Sequence, residues 1–423
     1  MGSCFVHYKC GGASSRFSAS TRARSLAAYA LAIDVGDLQE DHLGRFADQW
    51  NKTSFFLTDY NRSDAAALSD TGRGARQQHG HPDVFHNRSW FMDIRKATDT
   101  ETVPTHKPSF TPDMSWTKHL AESKVLNCVS VADEAFMQAD RKLSLVERTG
   151  LDREKIRVAA FLPHLPGTEI DSGCRRYASY MSKKFRQHGL DFRVEEATSA
   201  DTLELMLMGA QVNDKIFGTF VFFPTPFGKT EDYFLRRVRP EKDIEGLTVE
   251  NTGRMALNIK TVGEGEKYEG VVPCTARAIL TLLNRHTSIK NLFPGDMNHK
   301  GPTVVIFNSS PRIGTPLHSM LMRIGATVTL VHQQTRAEVK RHFLETADIV
   351  VTAFPANCEE DLIKDVKPGA VVIDCSAEGN LHPDVAGKAA YISTHDNHLG
   401  QITTALALYN TALCALWQRG MHA

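Results

Sequence analysis

Seven residues after the apolar run Thr303–Phe307 carry the first chemical signal in the chain: Asn308, Ser309, Ser310, Pro311, Arg312, Ile313 and Gly314, with Pro316 opening a helix. A tight turn between a strand and a helix aims backbone N–H groups and the positive end of the helix dipole at one spot. A dinucleotide pyrophosphate is an anion such a turn can hold. The turn is not GxGxxG, and on its own it reads equally as an ordinary strand-to-helix connection.

Other candidate chemistry is thinner. The eight cysteines (Cys4, Cys10, Cys128, Cys174, Cys274, Cys358, Cys375 and Cys414) show no CxxC spacing, which suits reduced thiols rather than a disulfide scaffold or a zinc site. His79, His81 and His86, and then His395, Asp396 and His398 in the loop Ser393–Gly400, are metal-ligand types. Such groups in polar loops are ordinarily solvated, so no metal is expected. Lys+Arg and Asp+Glu both number 49, leaving no net charge to attract nucleic acid or an anionic membrane. No stretch reads as approaching the ~18 apolar residues of a membrane span.

The elements that would position the turn are legible from periodicity. VSVADEAFMQADRKLSLVERTG is helical, Ile156–Pro163 a buried strand, Gly173–His188 a helix, FRVEEA a strand, Ser199–Met208 a helix and Ile216–Pro226 a strand ended by its prolines. After the helix TARAILTLLNRHT the pattern restarts. Strands TVVIF, ATVTLVH, DIVVTAF, AVVIDCS and AAYIST alternate with helices PLHSMLMRIG, RAEVKRHFLETA and EEDLIKDV, and QITTALALYNTALCALWQR is a long closing helix. Alternation of this kind gives an α/β protein with parallel sheets and right-handed crossovers, and the second block is a dinucleotide-binding fold.

The amino-terminal part differs. Residues 1–33 hold no acid, four Lys or Arg residues (Lys9, Arg16, Arg22, Arg24) and six serines, the composition of a mitochondrial presequence or of a basic tail. Residues 34–117 are polar and aperiodic, so a disordered extension with short helices at most is expected. The location is accordingly expected to be cytoplasmic or mitochondrial.

Several separated motifs occur in a fixed order: PEKDIEGL at Pro240–Leu247, VVPCTARAILTLL at Val271–Leu283, SSPRIGTPLHSMLMRIGATVTLVH, KPGAVVIDC at Lys367–Cys375 and the terminal LGQITTALALYNT. From about residue 120 onward the series resembles the methylenetetrahydrofolate dehydrogenase/cyclohydrolase family, and specifically its monofunctional NAD-dependent branch. The resemblance implies a folate-binding catalytic domain from residues 118–274 and 404–423, with an inserted NAD(P)-binding Rossmann domain at 275–403, and residues 1–117 as the extension. It implies oxidation of 5,10-methylenetetrahydrofolate with NAD or NADP, and a homodimer.

It also implies roles for particular residues. Tyr177 stands where the family tyrosine stacks on the pterin, and Met181 falls where the catalytic lysine of the Tyr-x-x-x-Lys pair belongs. Met cannot move a proton or activate water. Lys183 is two residues further, ~200° around the helix. A second register pairs Tyr180 with Lys184. Phe222 replaces the glutamine that bonds the lysine, and Glu245 replaces the pterin-binding aspartate. Loss of the lysine and its glutamine is the pattern of a dehydrogenase without the hydrolytic half, the bifunctional enzyme and a non-catalytic folate or nucleotide binder being the alternatives.

For the cofactor, Asn308, Ser309, Ser310, Arg312, Ile313 and Gly314 would line the phosphates, His332 would end the second strand of that domain, and Gly400 would stand beside the nicotinamide. Ser309 occupies the place of the arginine that meets the 2′-phosphate in NADP users, which favours NAD; Arg312 and Arg336 are the cations that would restore NADP.

Overall fold

Near-continuous apolar runs put the central strands of two parallel sheets where both faces are covered. In the first sheet Arg157–Pro163 (β1) is buried beyond its first residue and is flanked in parallel by Asp191–Ala197 (β2) and Ile216–Val221 (β3), in the order β2-β1-β3. The computed structural model describes residues 110–167, 172–263, 265, 267–293, 300–354, 356, 358–376, 378–393 and 399–421. The import segment, His79, His81, His86, His395, Asp396 and His398 lie outside the described residues.

Cys128–Glu147 (α1) starts at Asn127, whose side chain accepts the Ser130 N–H at 3.1 Å. Ser172–Gln187 (α2) crosses from β1 to β2, and Ala200–Val212 (α3) crosses from β2 to β3 with Ser199 as its cap. The third strand is shorter than the expected run to Pro226. It ends at Val221, because Pro224 and Pro226 bring no N–H to a ladder, and the Phe223–Pro224 bond is cis. A short helix, Glu231–Leu235 (α4), and a longer one, Val249–Ala256 (α5), follow. The hairpin Thr261–Val262 (β4) with Tyr268–Glu269 (β5) comes next. None of these three is marked by a long periodic run.

Cys274–Arg285 (α6) and Thr287–Lys290 (α7) lead into the second sheet. Its strands are Thr303–Phe307 (β6), Thr327–Val331 (β7), Ile349–Thr352 (β8), Val371–Asp374 (β9) and Tyr391–Ser393 (β10). They are all parallel in the order β10-β9-β8-β6-β7, so the strand order reverses between β6 and β8. A crevice at the carboxyl ends of the strands opens at such a reversal. Gly314–Arg323 (α8), Ala337–Thr346 (α9) and Val385–Lys388 (α10) make the helical crossovers.

The stretch EEDLIKDV does not form the expected helix. Only a 3-10 turn, Glu359–Asp361, is present, and the chain then runs extended, with the Ile363 N–H donating to Asn380 O at 2.9 Å. Leu362, Ile363 and Val366 are all buried, and Pro368 disfavours helical geometry at Lys367.

Leu399–Gln418 (α11) returns to the first sheet, packing along α1 and α6. It is long and apolar enough to cross a membrane by length and composition (mean hydropathy 1.2), which amends the reading that no stretch approaches one. Its window is 83% buried inside the protein.

One placement crosses the expected boundary at residue 117. Met114 and Leu120 pack into the core of the second sheet, Val125 forms a parallel bridge to Ile392 of β10, and the Leu126 N–H donates to Ile392 O at 2.9 Å. The segment entering α1 therefore covers the β10 edge of the dinucleotide-binding sheet.

Candidate active site

On the first domain the candidate site is assembled around the chain that follows β3. The KDIEG segment is anchored by its own residues. Asp243, buried, accepts N–H bonds from Gly246 at 2.9 Å, Thr248 at 2.7 Å and the Asn251 side chain at 2.9 Å. Lys242 is buried too, its ammonium donating to the final carbonyls around α3, Ala210 O at 3.0 Å and Asn213 O at 2.8 Å. Burial, together with Arg239, lowers it to about 8. Gly246 has φ +74, and a Cβ there would lie 2.5 Å from Val272 C, so this turn requires glycine.

These anchors push Glu245 inward. Its side chain is 8% exposed, and Oε2 accepts the Val221 N–H at 3.3 Å. Burial raises its carboxyl to about 8, against the opposing pull of Arg312. Asn410 of α11 donates to Ile244 O and Val272 O, each at 3.0 Å, and so clamps this segment against the VVPC segment that leads into α6. Sequence reasoning passed over Asn410, which looked like one more residue of an apolar helix.

Tyr177 of α2 lies within electrostatic reach of Glu245. Its ring meets Phe222 edge-on, with centroids 6.1 Å apart, and a Cβ on Gly400 would lie 3.5 Å from it in ordinary contact. The hydroxyl is buried near Thr404 without a hydrogen bond of good geometry, and burial raises its pKa against the opposing pull of Thr404. Gly400, expected beside the nicotinamide, thus stands in the first turn of α11 against the tyrosine ring.

The remaining positions on α2 separate from this group. Met181 is fully buried in the core with Phe222, which is 4% exposed. Lys183 is exposed on the outer face, lining a groove with Arg175 and Arg186. Lys184 lies over the rings of Phe136, at 5.2 Å, and Tyr180, at 5.8 Å, on the side toward α1. The register pairing Tyr180 with Lys184 accordingly places both against α1, away from Glu245.

Across the crevice, the phosphate loop sits after β6 at the reversal point. Asn308 organises it: Oδ1 accepts from Ser310 N at 2.9 Å, Ser310 Oγ at 2.7 Å and Gly314 N at 3.0 Å, while Nδ2 donates to Ala353 O at 2.6 Å. The Ile313 N–H donates to Ser310 Oγ at 3.2 Å. Three N–H groups expected to face a pyrophosphate are therefore engaged within the loop, while the Ser309 side chain is exposed at the rim. A Cβ on Gly314 would stand 2.0 Å from Asn308 O, so only glycine permits this approach of backbone to backbone. His332 is exposed after β7, and Arg336 pairs at the surface with Glu338 at 3.3 Å. Arg312 turns the other way: Nη1 donates to Phe223 O at 3.3 Å and stands 3.7 Å from Glu231 Oε1.

A second feature missed in the sequence is the buried carboxylate of Asp374 at the end of β9. It accepts from Ser376 N at 2.9 Å and Asn380 N at 3.1 Å, and Asn380 in turn accepts from the Thr352 hydroxyl at 2.9 Å. Among the described residues no group of three His, Cys, Asp or Glu residues is placed to hold a metal.

The chain is similar in sequence and fold to known proteins. The family profile described as tetrahydrofolate dehydrogenase/cyclohydrolase, NAD(P)-binding domain, matches residues 273–419. The methylenetetrahydrofolate dehydrogenase (NAD(+)) of Saccharomyces cerevisiae is 27% identical over 264 residues, covering 57% of this chain and 81% of the yeast protein. The bifunctional protein FolD of Caldicellulosiruptor saccharolyticus is 28% identical over 261 residues, 57% of this chain and 86% of its own. In fold, the solved NAD-dependent 5,10-methylenetetrahydrofolate dehydrogenase of S. cerevisiae superposes with a TM-score of 0.60 at 23% identity, covering 70% of this chain and 97% of that one. The silkworm 5,10-methylenetetrahydrofolate dehydrogenase gives 0.56 at 23%, covering 70% and 99%. Residues 273–419 match the NAD(P)-binding domain of the tetrahydrofolate dehydrogenase/cyclohydrolase family, and over 264 residues the chain is similar to a methylenetetrahydrofolate dehydrogenase.

Proposed function

We propose that the protein oxidises 5,10-methylenetetrahydrofolate to 5,10-methenyltetrahydrofolate, using NAD in preference to NADP, and does not hydrolyse the product. The observation that carries this reading is the convergence of Tyr177 and Glu245 from the first domain with Arg312 from the phosphate loop, within electrostatic reach of one another.

The bridging carbon gives up a hydrogen with its electron pair as the adjacent nitrogen lone pair moves into a C=N bond. No proton changes hands, so the protein needs no acid or base and contributes orientation instead. Tyr177 supplies a face for the pterin. Glu245, when ionised, offers two acceptors to its amino and ring N–H groups. The nicotinamide, when bound, supplies the two-electron acceptor. Glycine at 314 and the loop order imposed by Asn308 fit a dinucleotide on β6. Ser309, His332, Gln333 and Gln334 bring no cation for a 2′-phosphate, and Arg312 is directed at the first domain, which supports NAD.

The hydrolytic step lacks its machinery: Met181 is buried and inert, and the two neighbouring lysines point elsewhere. The test is reduced-nicotinamide absorbance on mixing the full chain with methylenetetrahydrofolate and either dinucleotide. Turnover with NAD, with the methenyl product decaying no faster than in buffer, is the expected result; silence with both cofactors refutes the activity.

Exposed Met322 and Ile324 on and after α8, Leu257 after α5 and the half-exposed edge strand β7 support a homodimer through the dinucleotide-binding domain. Light scattering of the wild type and of Met322→Glu with Ile324→Glu tests it, a monomeric wild type being the adverse result. The acid-free residues 1–33 support import into mitochondria, tested by amino-terminal sequencing of the protein from its cell.

A further inference from the structure

Arg312 is the one charged residue between Asn308 and Gly314, and its side chain leaves the loop that carries it. The guanidinium lies over the Phe223 ring, 5.5 Å from the centroid, while Nη1 donates to Phe223 O at 3.3 Å and faces Glu231 Oε1 at 3.7 Å. Phe223 follows β3 and Glu231 opens α4, so all three contacts are made to the folate-side domain. A planar fork that stacks and donates at once suits arginine and not lysine.

The groups facing Glu245 are Asp243 from its own segment, Glu231 from α4, Tyr177 from α2, Cys274 from α6 and Arg312 from the phosphate loop. Arg312 is the only cation in that set, and it alone is contributed by the dinucleotide-binding domain beyond α6. Asp243 and Glu231 both disfavour a second negative charge, and burial disfavours it more strongly. The ionised carboxylate accepts two pterin N–H groups at once, whereas protonation turns one of its oxygens into a donor.

We propose that Arg312 is a positioning residue for the folate site: reaching across the crevice from the phosphate loop, it favours the ionised form of Glu245 that receives the pterin, so the cofactor-binding domain completes the folate site. The proposal rests on the folate reading of Glu245 given above. It makes Glu231 the antagonist, because Glu231 shares the guanidinium and adds a like charge beside Glu245.

The experiment is tetrahydrofolate binding to the full chain, without dinucleotide, followed by intrinsic fluorescence under argon from pH 6 to 9.5. Wild type, Arg312→Met, Arg312→Lys and Glu231→Gln are compared, with circular dichroism confirming folding. Arg312→Met is expected to move the midpoint of the pH dependence upward by about one unit and to weaken binding near pH 7.5 about tenfold. Arg312→Lys keeps most of the wild-type midpoint, and Glu231→Gln moves it downward. Equal midpoints in wild type and Arg312→Met, or shifts of the same sign in Arg312→Met and Glu231→Gln, overturn the proposal. A wild type that binds no tetrahydrofolate refutes the folate reading instead. The positioning role is then read without ligand, from the pH at which the Tm difference between each background and its Glu245→Gln counterpart appears. A midpoint that Arg312→Met leaves in place overturns it there too.

Discussion

Asn308 Oδ1 accepts the Gly314 N–H at 3.0 Å, and this bond closes the phosphate loop on itself before a dinucleotide arrives. The same oxygen takes the Ser310 N–H, so a single side chain sets the curvature of the turn. The loop is thus preformed, and its ordering is not charged to cofactor binding.

Asn308→Ala is expected to raise KM for NAD at least tenfold, with kcat changed less, because the loop must then be ordered by the ligand. Gly314→Ala is harsher. Its Cβ would stand 2.0 Å from Asn308 O, so the loop and the start of α8 must separate. Loss of detectable NAD binding by calorimetry, with the folate-side domain still folded, is the expected result. Wild-type NAD affinity in either variant contradicts the account.

Glu245, raised by burial to about 8 from an ordinary 4.5, gives two pH signatures of opposite benefit. Its folded pKa lies above its unfolded one, so the folded state holds a proton the unfolded chain has released. That contribution to stability is complete below about 4.5 and is lost as pH rises through about 8. Folate binding runs the other way and strengthens as the carboxylate ionises. In the wild type, kcat/KM for the folate should rise up to tenfold per pH unit below about 8 and then level. Glu245→Gln should flatten that profile at a value at least tenfold lower, and its Tm should exceed the wild type's by several degrees near pH 9 but not near pH 5. A bell centred below pH 6, or a Glu245→Gln profile that keeps the same limb, would contradict this assignment.

The Tyr177 hydroxyl, buried with no well-formed hydrogen bond and only Thr404 near it, is a cost rather than an asset in the free protein. Tyr177→Phe should therefore raise stability by about 1 kcal/mol in denaturant titration and leave folate KM within about threefold. Tyr177→Ala should raise that KM at least tenfold by removing the stacking face. A large loss from Tyr177→Phe would mean the hydroxyl serves the ligand.

Most of this architecture was legible because parallel strands buried on both faces, such as β1 and β8, are written as unbroken apolar runs between periodic helices. The phosphate loop was legible by its place after β6. What escaped was set by tertiary contact. Ile363 takes its hydrogen bond from the chain near Asn380 instead of from a helix, and Leu120 covers a strand edge far along the sequence. On the site itself, the substitutions at Met181, Phe222 and Glu245 could be named from motif spacing. The direction of Arg312 could not, since a loop arginine reads the same whether it faces a phosphate or the opposite domain. Asn410 was hidden for a different reason: one polar residue inside an apolar helix gives no sign of which carbonyls it will meet.

Restoring the missing lysine alone should fail. Met181 is fully buried, and Phe222 belongs to the same apolar core, so Met181→Lys places an ammonium among apolar side chains. A loss of roughly 3–5 kcal/mol in denaturant titration, without acceleration of methenyl decay, is expected for the single variant. Met181→Lys combined with Phe222→Gln adds, just after the strand end, the acceptor that the family alignment pairs with the lysine. The double variant should recover at least half of that loss, and it alone should hydrolyse methenyltetrahydrofolate measurably faster than buffer. If the single variant is as stable as the wild type, position 181 is wetter than its burial indicates. If the two substitutions act additively, the lysine and the glutamine do not meet, and the ungapped alignment of Tyr177 and Met181 with the family pair is wrong.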